Sequence, residues 1–144
     1  MMMRTPFHLW IVGILSLVWN AGGAVDYVMT RANAAEYMAS QPAERLMMLE
    51  QAPLWFGVTW ALGVWFSVIG ALLLLARSRF AGAAFALSLI GLAGSSVYTY
   101  VIADGGSMVA AAGTAAIVFT LAIPILLLLQ WLYARAMTRR GVLR

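Results

Sequence analysis

The feature that most constrains this chain is a series of long apolar stretches without charge. Leu54 to Leu75 and Ala81 to Ile102 contain no Asp, Glu, Lys or Arg, and each is long enough to cross a hydrocarbon core, which takes about 20 helical residues. Two further stretches, about residues 7–29 and 108–133, are of comparable length, and Asp26 is the one charge in them. In a chain of 144 residues, four such stretches predict a single all-α domain, an integral membrane four-helix bundle.

The first stretch has a second interpretation. Arg4, the apolar run Leu9 to Val18 and the small residues Ala21 to Ala24 also match the three regions of a cleavable signal peptide. Pro6, however, is a residue type favoured in the first turn of a helix. We expect a retained membrane helix, because an even number of spans accounts for the distribution of charge along the chain.

The arginines predict how the bundle is oriented. Basic residues that flank membrane spans stay on the cytoplasmic side, and with both termini inside, only Arg31 and Arg45 of the nine basic residues lie outside. The remaining seven are Arg4, Arg77, Arg79, Arg135, Arg139, Arg140 and Arg144. We therefore predict a multi-pass protein of the bacterial cytoplasmic (inner) membrane with both termini cytoplasmic and its arginines in contact with membrane lipids.

Composition excludes several classes of function. Hydrophobic residues make up 64% of the chain and charged residues 10%, against about 25% charged in soluble domains. Cysteine is absent, which removes disulfides and thiolate metal sites. The arginines form no basic stripe interleaved with aromatic residues, so we expect no nucleic-acid partner.

The outer loop, about residues 30–53, is the largest segment outside the predicted spans. Its composition predicts short amphipathic helices, one that Thr30 caps and that ends near Met38, and one that begins at Pro42 and continues through Gln51. Such helices can lie passively at the membrane surface. A lid and a docking surface are the alternatives that the sequence leaves open.

Small residues recur on the spans at helical spacing. Residues three and four apart share one face of a helix, and small side chains let membrane helices approach closely. The same small polar residues would line a solute pathway, so both interpretations remain. The positions that we predict for helix packing are Gly13, Gly23, Gly63, Ser67, Gly70, Gly91 and Ser95.

A proline interrupts the fourth predicted span. Pro124 lies four residues after Thr120, and a proline cannot donate the hydrogen bond that the carbonyl four residues earlier would accept. We predict a kink at Thr120 and Pro124 that can serve as a hinge, although prolines also occur in inert membrane helices.

Asn20 and Asp26 are the conspicuous polar residues of the first span. An unpaired amide in hydrocarbon is costly, so we expect Asn20 to bond to a Ser or Thr of another helix or to a substrate. Asp26 lies about 9 Å further along the helix, near the outer boundary. It can be solvated, pair with Arg31, or bind a cation or a partner.

The sequence contains no recognisable catalytic arrangement. It lacks a Ser/His/Asp set, a pair of carboxylates on a shared pocket and a metal cluster, and its one histidine, His8, has no companion ligands. No charged residue lies in the middle of a span, where ion-coupled pumps usually carry one. We therefore predict a non-enzymatic protein with no catalytic residue, no metal and no cofactor.

A motif at the end of the first span resembles a known family. The run from Trp19 to Thr30 reads W-N-x-x-G-x-x-D-Y-x-M-T, and with Tyr37-Met38, Pro53-Leu54-Trp55 and the stretch Trp60 to Trp65 it resembles small four-helix inner-membrane proteins of Gram-negative bacteria. The resemblance covers roughly the first two thirds of the chain. Members have no established activity and are sometimes labelled sugar transporters. The resemblance implies that the functional or substrate-binding residues are Trp19, Asn20, Asp26 and Tyr27.

Two functions follow from these patterns. The first is an accessory or assembly subunit that packs its small-residue faces against other membrane proteins. The second is a homo-oligomeric facilitative transporter of a small uncharged solute such as a sugar, with hydrogen bonds from Asn20, Thr59, Thr120 and Gln130. The sequence favours the subunit, because four helices of one protomer are expected to enclose little space.

Overall fold

The computed structural model describes residues 4–144. Within that range the chain is helical and contains no strand. Four helical segments, which we call the spans, are long and apolar enough to cross a membrane. Their bounds are Phe7–Arg31, Leu54–Leu75, Ala81–Ile102 and Thr114–Arg139. The prediction of an all-α chain with four such helices is confirmed.

Three short helices connect the spans. In chain order the α-helices are α1 (Phe7–Arg31), α2 (Ala35–Ala39), α3 (Ala43–Glu50), α4 (Leu54–Leu75), α5 (Ala81–Ser96), α6 (Gly105–Ala112) and α7 (Thr114–Arg139). A π-helical turn, Val97–Ile102, completes the third span after α5. We call residues 32–53, which contain α2 and α3, the connector.

Successive spans run in opposite directions. His8 near the start of α1 lies beside Tyr133 near the end of α7, and Gly13 lies beside Leu75 at the end of α4. Both ends of the described range, residues 4–144, therefore lie at one end of the bundle, which we call the terminal end. The connector lies at the opposite end, the connector end.

The spans pack in the order α1, α4, α5, α7. The crossing of α4 and α5 is tight, because a Cβ on Gly91 would lie 2.3 Å from the backbone nitrogen of Gly63. Ser88 Oγ also donates a hydrogen bond to the Gly63 carbonyl. α1 and α7, at the two ends of this row, meet through side chains such as Trp19 and Phe119, whose ring centroids lie 5.5 Å apart. The bundle consequently has room between these two helices.

The buried apolar core lies toward the terminal end. Its members are Leu9, Ala71, Leu74, Ala81, Phe85, Leu127, Ala134, Met137, Val142 and Leu143. The last two belong to a tail that folds back after α7. The N–H of Arg144 donates to the Arg77 carbonyl at 2.8 Å, and the N–H of Arg79 donates to the Arg144 carbonyl at 2.9 Å. This pairing of the tail with the α4–α5 loop is not visible in the sequence.

Most of the predicted packing glycines lie at helix contacts, but Gly23 does not. A Cβ on Gly13 would lie 2.5 Å from Leu75, and one on Gly70 would lie 2.7 Å from Phe85. Gly23 is exposed, and a Cβ there would meet nothing within 4 Å. The prediction that Gly23 packs against another helix is wrong, because α1 has no close neighbour on that side toward the connector end.

The fourth span differs from the predicted range 108–133. It begins at Thr114 and continues to Arg139, and α6 precedes it as a separate helix. Gly113 has a φ of +98°, a backbone conformation that favours glycine and breaks the helix. The helix then continues through Pro124, which is exposed, whereas Thr120 is half-buried. A hinge at these two residues stays a prediction.

Candidate functional site

A cavity of about 730 Å³ lies between the four spans in the connector half of the bundle. We call it the central cavity. Aromatic rings form part of its wall, with Trp19 from α1, Trp60 from α4 and Phe119 from α7 among them. Its polar lining includes Asn20, Asp26, Tyr37, Arg45, Ser67 and Ser95. Three of the four residues marked by the sequence motif, Trp19, Asn20 and Asp26, are therefore brought to one site.

Asn20 is bonded at the end of the cavity nearest the core. Its Nδ2 donates to the Ser67 carbonyl at 2.9 Å and to Gln130 Oε1 at 2.8 Å. The contact is shielded from solvent, since Asn20 and Gln130 are each 7% exposed. One amide thereby joins α1 to both α4 and α7.

The partners of Asn20 differ from the simplest expectation, which was a Ser or Thr hydroxyl on another helix. The Ser67 hydroxyl instead donates to the Val64 carbonyl of its own helix at 2.7 Å. Asn20 consequently reaches the Ser67 backbone oxygen and the side chain of Gln130. A backbone acceptor leaves no signature in a sequence, so only the structure identifies it.

The central cavity is closed on the side of Asn20 that faces the terminal end. The buried side chains of Leu9, Leu74 and Phe85 fill the space between the spans on the terminal side. The cavity therefore extends from the Asn20–Gln130 contact toward the connector and not through the bundle.

Asp26 lies at the connector end of the cavity and is held by two side chains of the connector. Arg45 Nη2 lies 2.9 Å from both carboxylate oxygens of Asp26, and the Tyr37 hydroxyl donates to Oδ1. Arg45 also donates to the Gln41 side chain. The partner of Asp26 is thus Arg45 and not Arg31, because the connector folds back over the end of α1.

The environment of Tyr37 keeps its hydroxyl a hydrogen-bond donor. Burial raises the pKa of Tyr37 above its usual value of 10.0, and the hydrogen bond to the Asp26 carboxylate and its charge raise it further, with Arg45 acting in the opposite direction. At neutral pH the phenol is protonated. It can therefore share the negative charge of Asp26 with the Arg45 guanidinium.

A second connector contact comes from the third span. The π-helical turn is wider than an α-helical one, and within it the Ala103 N–H donates to the Tyr98 carbonyl at 2.9 Å. Tyr98 is buried, and its hydroxyl donates to the Met48 carbonyl of α3 at 2.9 Å. Thr99 in the same turn lines the central cavity. The sequence contained no signal for this turn.

Tyr27, the fourth residue of the motif, does not line the central cavity. Its ring packs edge-on against Trp60 at 4.9 Å and against Trp65 at 6.0 Å between centroids. It lines a separate groove between α1 and α4. The family resemblance grouped Tyr27 with Asp26, but adjacent residues of a helix point about 100° apart.

The chemistry available in the central cavity is hydrogen bonding and ring stacking. Within residues 4–144 no group of three or more His, Cys, Asp or Glu side chains is placed to hold a metal ion. The carboxylate of Asp26 is neutralised by Arg45, so the cavity has no uncompensated charge at that point. Comparisons with models of protein families, with curated proteins and with solved structures found no match to this chain.

Proposed function

We propose that this chain is a facilitative transporter of a small uncharged solute with several hydrogen-bonding groups, such as a sugar. The observation that carries the proposal is the central cavity of about 730 Å³, which is within the range of about 300–1,000 Å³ typical of ligand pockets. The expectation that one protomer encloses too little space rested on a closed bundle. The separation of α1 from α7 supports a binding site within a single copy.

The lining suits a neutral polar solute. The rings of Trp19 and Trp60 offer flat apolar surfaces on which a sugar ring can stack. Asn20 Oδ1 and Ser95 Oγ can accept hydrogen bonds, since their donor groups are already bonded within the bundle. The paired charges of Asp26 and Arg45 give neither a cation nor an anion a clear advantage. A charged solute would lose its hydration without a matching partner.

The charge distribution orients the path. The terminal end carries most of the arginines, and basic flanks favour the cytoplasmic side of a bacterial inner membrane. The connector end then faces outward, and the central cavity lies in the outer half of the bundle with the connector side chains Tyr37 and Arg45 at its outer end. Passage of a solute requires the Asn20–Gln130 contact to separate together with the packed side chains of Leu9, Leu74 and Phe85 beyond it. We call this closed region the inner gate.

The test is uptake by proteoliposomes. Purified chain is reconstituted, and the entry of a panel of labelled neutral sugars and polyols is compared with entry into protein-free vesicles. We expect uptake of at least one of them, and we expect Asn20→Leu to abolish it. Thr138→Val is the matched control, because the Thr138 hydroxyl bonds to Ala134 of its own helix outside the cavity.

A folded double variant separates loss of the site from loss of the fold. Asn20→Leu with Gln130→Met replaces the whole polar pair by apolar side chains of similar size, a change that can be nearly neutral for stability. This variant should fold and still fail to transport. Uptake by the double variant at the wild-type rate would refute the proposal, as would a panel in which no solute enters faster than into empty vesicles.

A second candidate is an accessory subunit of a larger membrane assembly. The observation that favours it is the exposure of α7. In the most apolar 18-residue segment of this helix, only 11% is buried within the chain. Val118, Leu121 and Ile125 are exposed on this helix, and a partner helix could cover them. Native mass spectrometry of the particle extracted gently from membranes distinguishes the two candidates. Other proteins in stoichiometric amounts would support the subunit, and copies of this chain alone would support the transporter.

A further inference from the structure

A second cavity, of about 1110 Å³, lies beside the central cavity at the connector end. We call it the α1–α4 groove, since it runs between the last turns of α1, the connector and the first turns of α4. Gly57 gives the groove its depth. A Cβ at Gly57 would meet only the Nη1 atom of Arg31, at 3.8 Å, so a larger side chain there would occupy the groove without striking the backbone.

The walls of the groove are apolar and extend into the membrane span. Leu54, Val58 and Ala61 of α4 line it, together with the rings of Tyr27 and Trp60. From Leu54 to Ala61 the helix rises about 10 Å. The groove is thus long enough for the glycerol region and the first carbons of an acyl chain.

The rim of the groove carries two opposite charges that do not pair with each other. Arg31 and Glu50 both line it and both are exposed, yet in the part of the chain that the structure describes the ion pair found is Arg45 with Asp26. Thr30 also lines the groove, and its Oγ1 is buried with no hydrogen-bond partner among the described residues. A buried hydroxyl without a partner is costly, so an acceptor on a ligand in the groove would relieve this cost.

We propose that the α1–α4 groove binds one molecule of phosphatidylethanolamine from the surrounding bilayer. The phosphate accepts hydrogen bonds from Arg31 and from Thr30 Oγ1, the ammonium group donates to Glu50, and an acyl chain lies against Tyr27 and Val58. A guanidinium suits phosphate because its N–H groups match two phosphate oxygens. This site does not depend on the proposed solute path, although Trp60 lies between the two and lines both.

The rim discriminates among phospholipids. Phosphatidylglycerol has no cation, so it would place its anion near Glu50 without a compensating partner. Phosphatidylcholine has a cation, but its trimethylammonium group has no N–H to donate to a carboxylate. Of these three head groups only phosphatidylethanolamine satisfies Arg31 and Glu50 together.

The test uses the full chain in detergent with an equimolar mixture of phosphatidylethanolamine, phosphatidylglycerol and phosphatidylcholine of identical acyl chains. Native mass spectrometry reports which lipid is retained. We expect one phosphatidylethanolamine per chain. We expect Arg31→Gln to weaken retention about tenfold, since a charge-assisted bond to phosphate is lost, and Glu50→Gln to abolish the preference over phosphatidylglycerol.

Two glycine variants test the position of the lipid. Gly57→Leu should fill the groove and reduce retention of the lipid. Gly82→Leu is the matched control at the terminal end, because a Cβ at Gly82 would likewise meet only an arginine side chain, Arg135 Cγ at 3.7 Å. Thermal unfolding followed by tryptophan fluorescence verifies that both variants are folded.

Three results would overturn the proposal. The first is that no lipid is retained by the wild-type chain, and the second is that the three lipids are retained equally. The third is equal retention by Gly57→Leu and Gly82→Leu when both are folded. Failure of solute uptake in proteoliposomes would leave the lipid result unaffected, so the two proposals stand or fall separately.

Discussion

The hydrogen bond between Asn20 and Gln130 is the interaction whose energy can be worked out most directly from the structure. It joins α1 to α7, two helices that otherwise meet through a few side chains, and it closes the central cavity toward the core. The perturbation is a double-mutant cycle with Asn20→Leu, Gln130→Met and the two combined. Each replacement retains most of the side-chain volume, so the cycle isolates the polar contribution.

The structure predicts unequal effects of the two single replacements. Asn20→Leu removes two hydrogen bonds, which at about 0.6 kcal/mol each in membrane proteins amounts to about 1 kcal/mol. It also leaves the buried Gln130 Oε1 without its donor, which adds about 1–3 kcal/mol. Gln130→Met removes one bond and leaves Asn20 Nδ2 bonded to the Ser67 carbonyl, so we expect about 0.6 kcal/mol.

The double variant should be more stable than the sum of the single effects implies. With both amides gone, no side-chain polar atom of the pair remains buried without a partner. The shared bond is counted in both single variants, and the cost of the unpaired Gln130 Oε1 is absent from the double variant, so we expect a coupling free energy of about 2–4 kcal/mol between the two positions. Asn20→Leu alone should be the least stable of the three variants, or equal to the double variant.

The assay is reversible unfolding in mixed micelles of a mild detergent and increasing sodium dodecyl sulfate. The chain has six tryptophans, and their fluorescence reports the transition for all four proteins of the cycle. Additive single effects, with a coupling free energy near zero, would refute the reasoning, because they would mean that Asn20 and Gln130 do not depend on each other in the folded state.

Contacts elsewhere in the fold lead to three further expected outcomes. Gly91→Ala should lower the free energy of unfolding by about 1–3 kcal/mol through overpacking on α4. Gly106→Ala should not, because a Cβ there would meet nothing within 4 Å. Equal effects of the two variants would contradict the close contact between Gly91 and Gly63. Arg45→Gln should speed amide hydrogen exchange across the connector, because the loss of the Arg45 charge releases Asp26. Glu44→Gln is the control, and unchanged exchange in Arg45→Gln would mean that the ion pair does not hold the connector. Leu143→Ala should reduce the unfolding temperature, because the tail is part of the core; an unaltered temperature would mean that the tail contributes nothing.

Periodicity of small residues predicted the helix contacts with mixed success. Gly63 and Gly91 lie at the tightest crossing in the bundle, as expected for small residues on facing helices. Gly23 follows the same periodicity on α1 and faces no helix. The pattern identifies which residues share a face, but it does not tell whether a neighbouring helix or an open cavity lies opposite that face.

The sequence by itself determined the number of spans and the bounds of two of them. Leu54–Leu75 and Ala81–Ile102 are bounded as expected, because hydropathy, a preceding proline and turn residues act locally. The connection before the fourth span was missed, because the break at Gly113 lies within an apolar, alanine-rich stretch and leaves hydropathy unchanged.

Only the tertiary structure decided what the polar residues do. Asn20 pairs with Gln130, 110 positions away, and Asp26 pairs with Arg45 because the connector folds back over α1. The central cavity exists because α1 and α7 lie at opposite ends of a row of helices, and the order in which helices pack is not encoded in any one of them. Local chemistry therefore specifies helices, whereas partners and cavities depend on contacts between segments far apart in the chain.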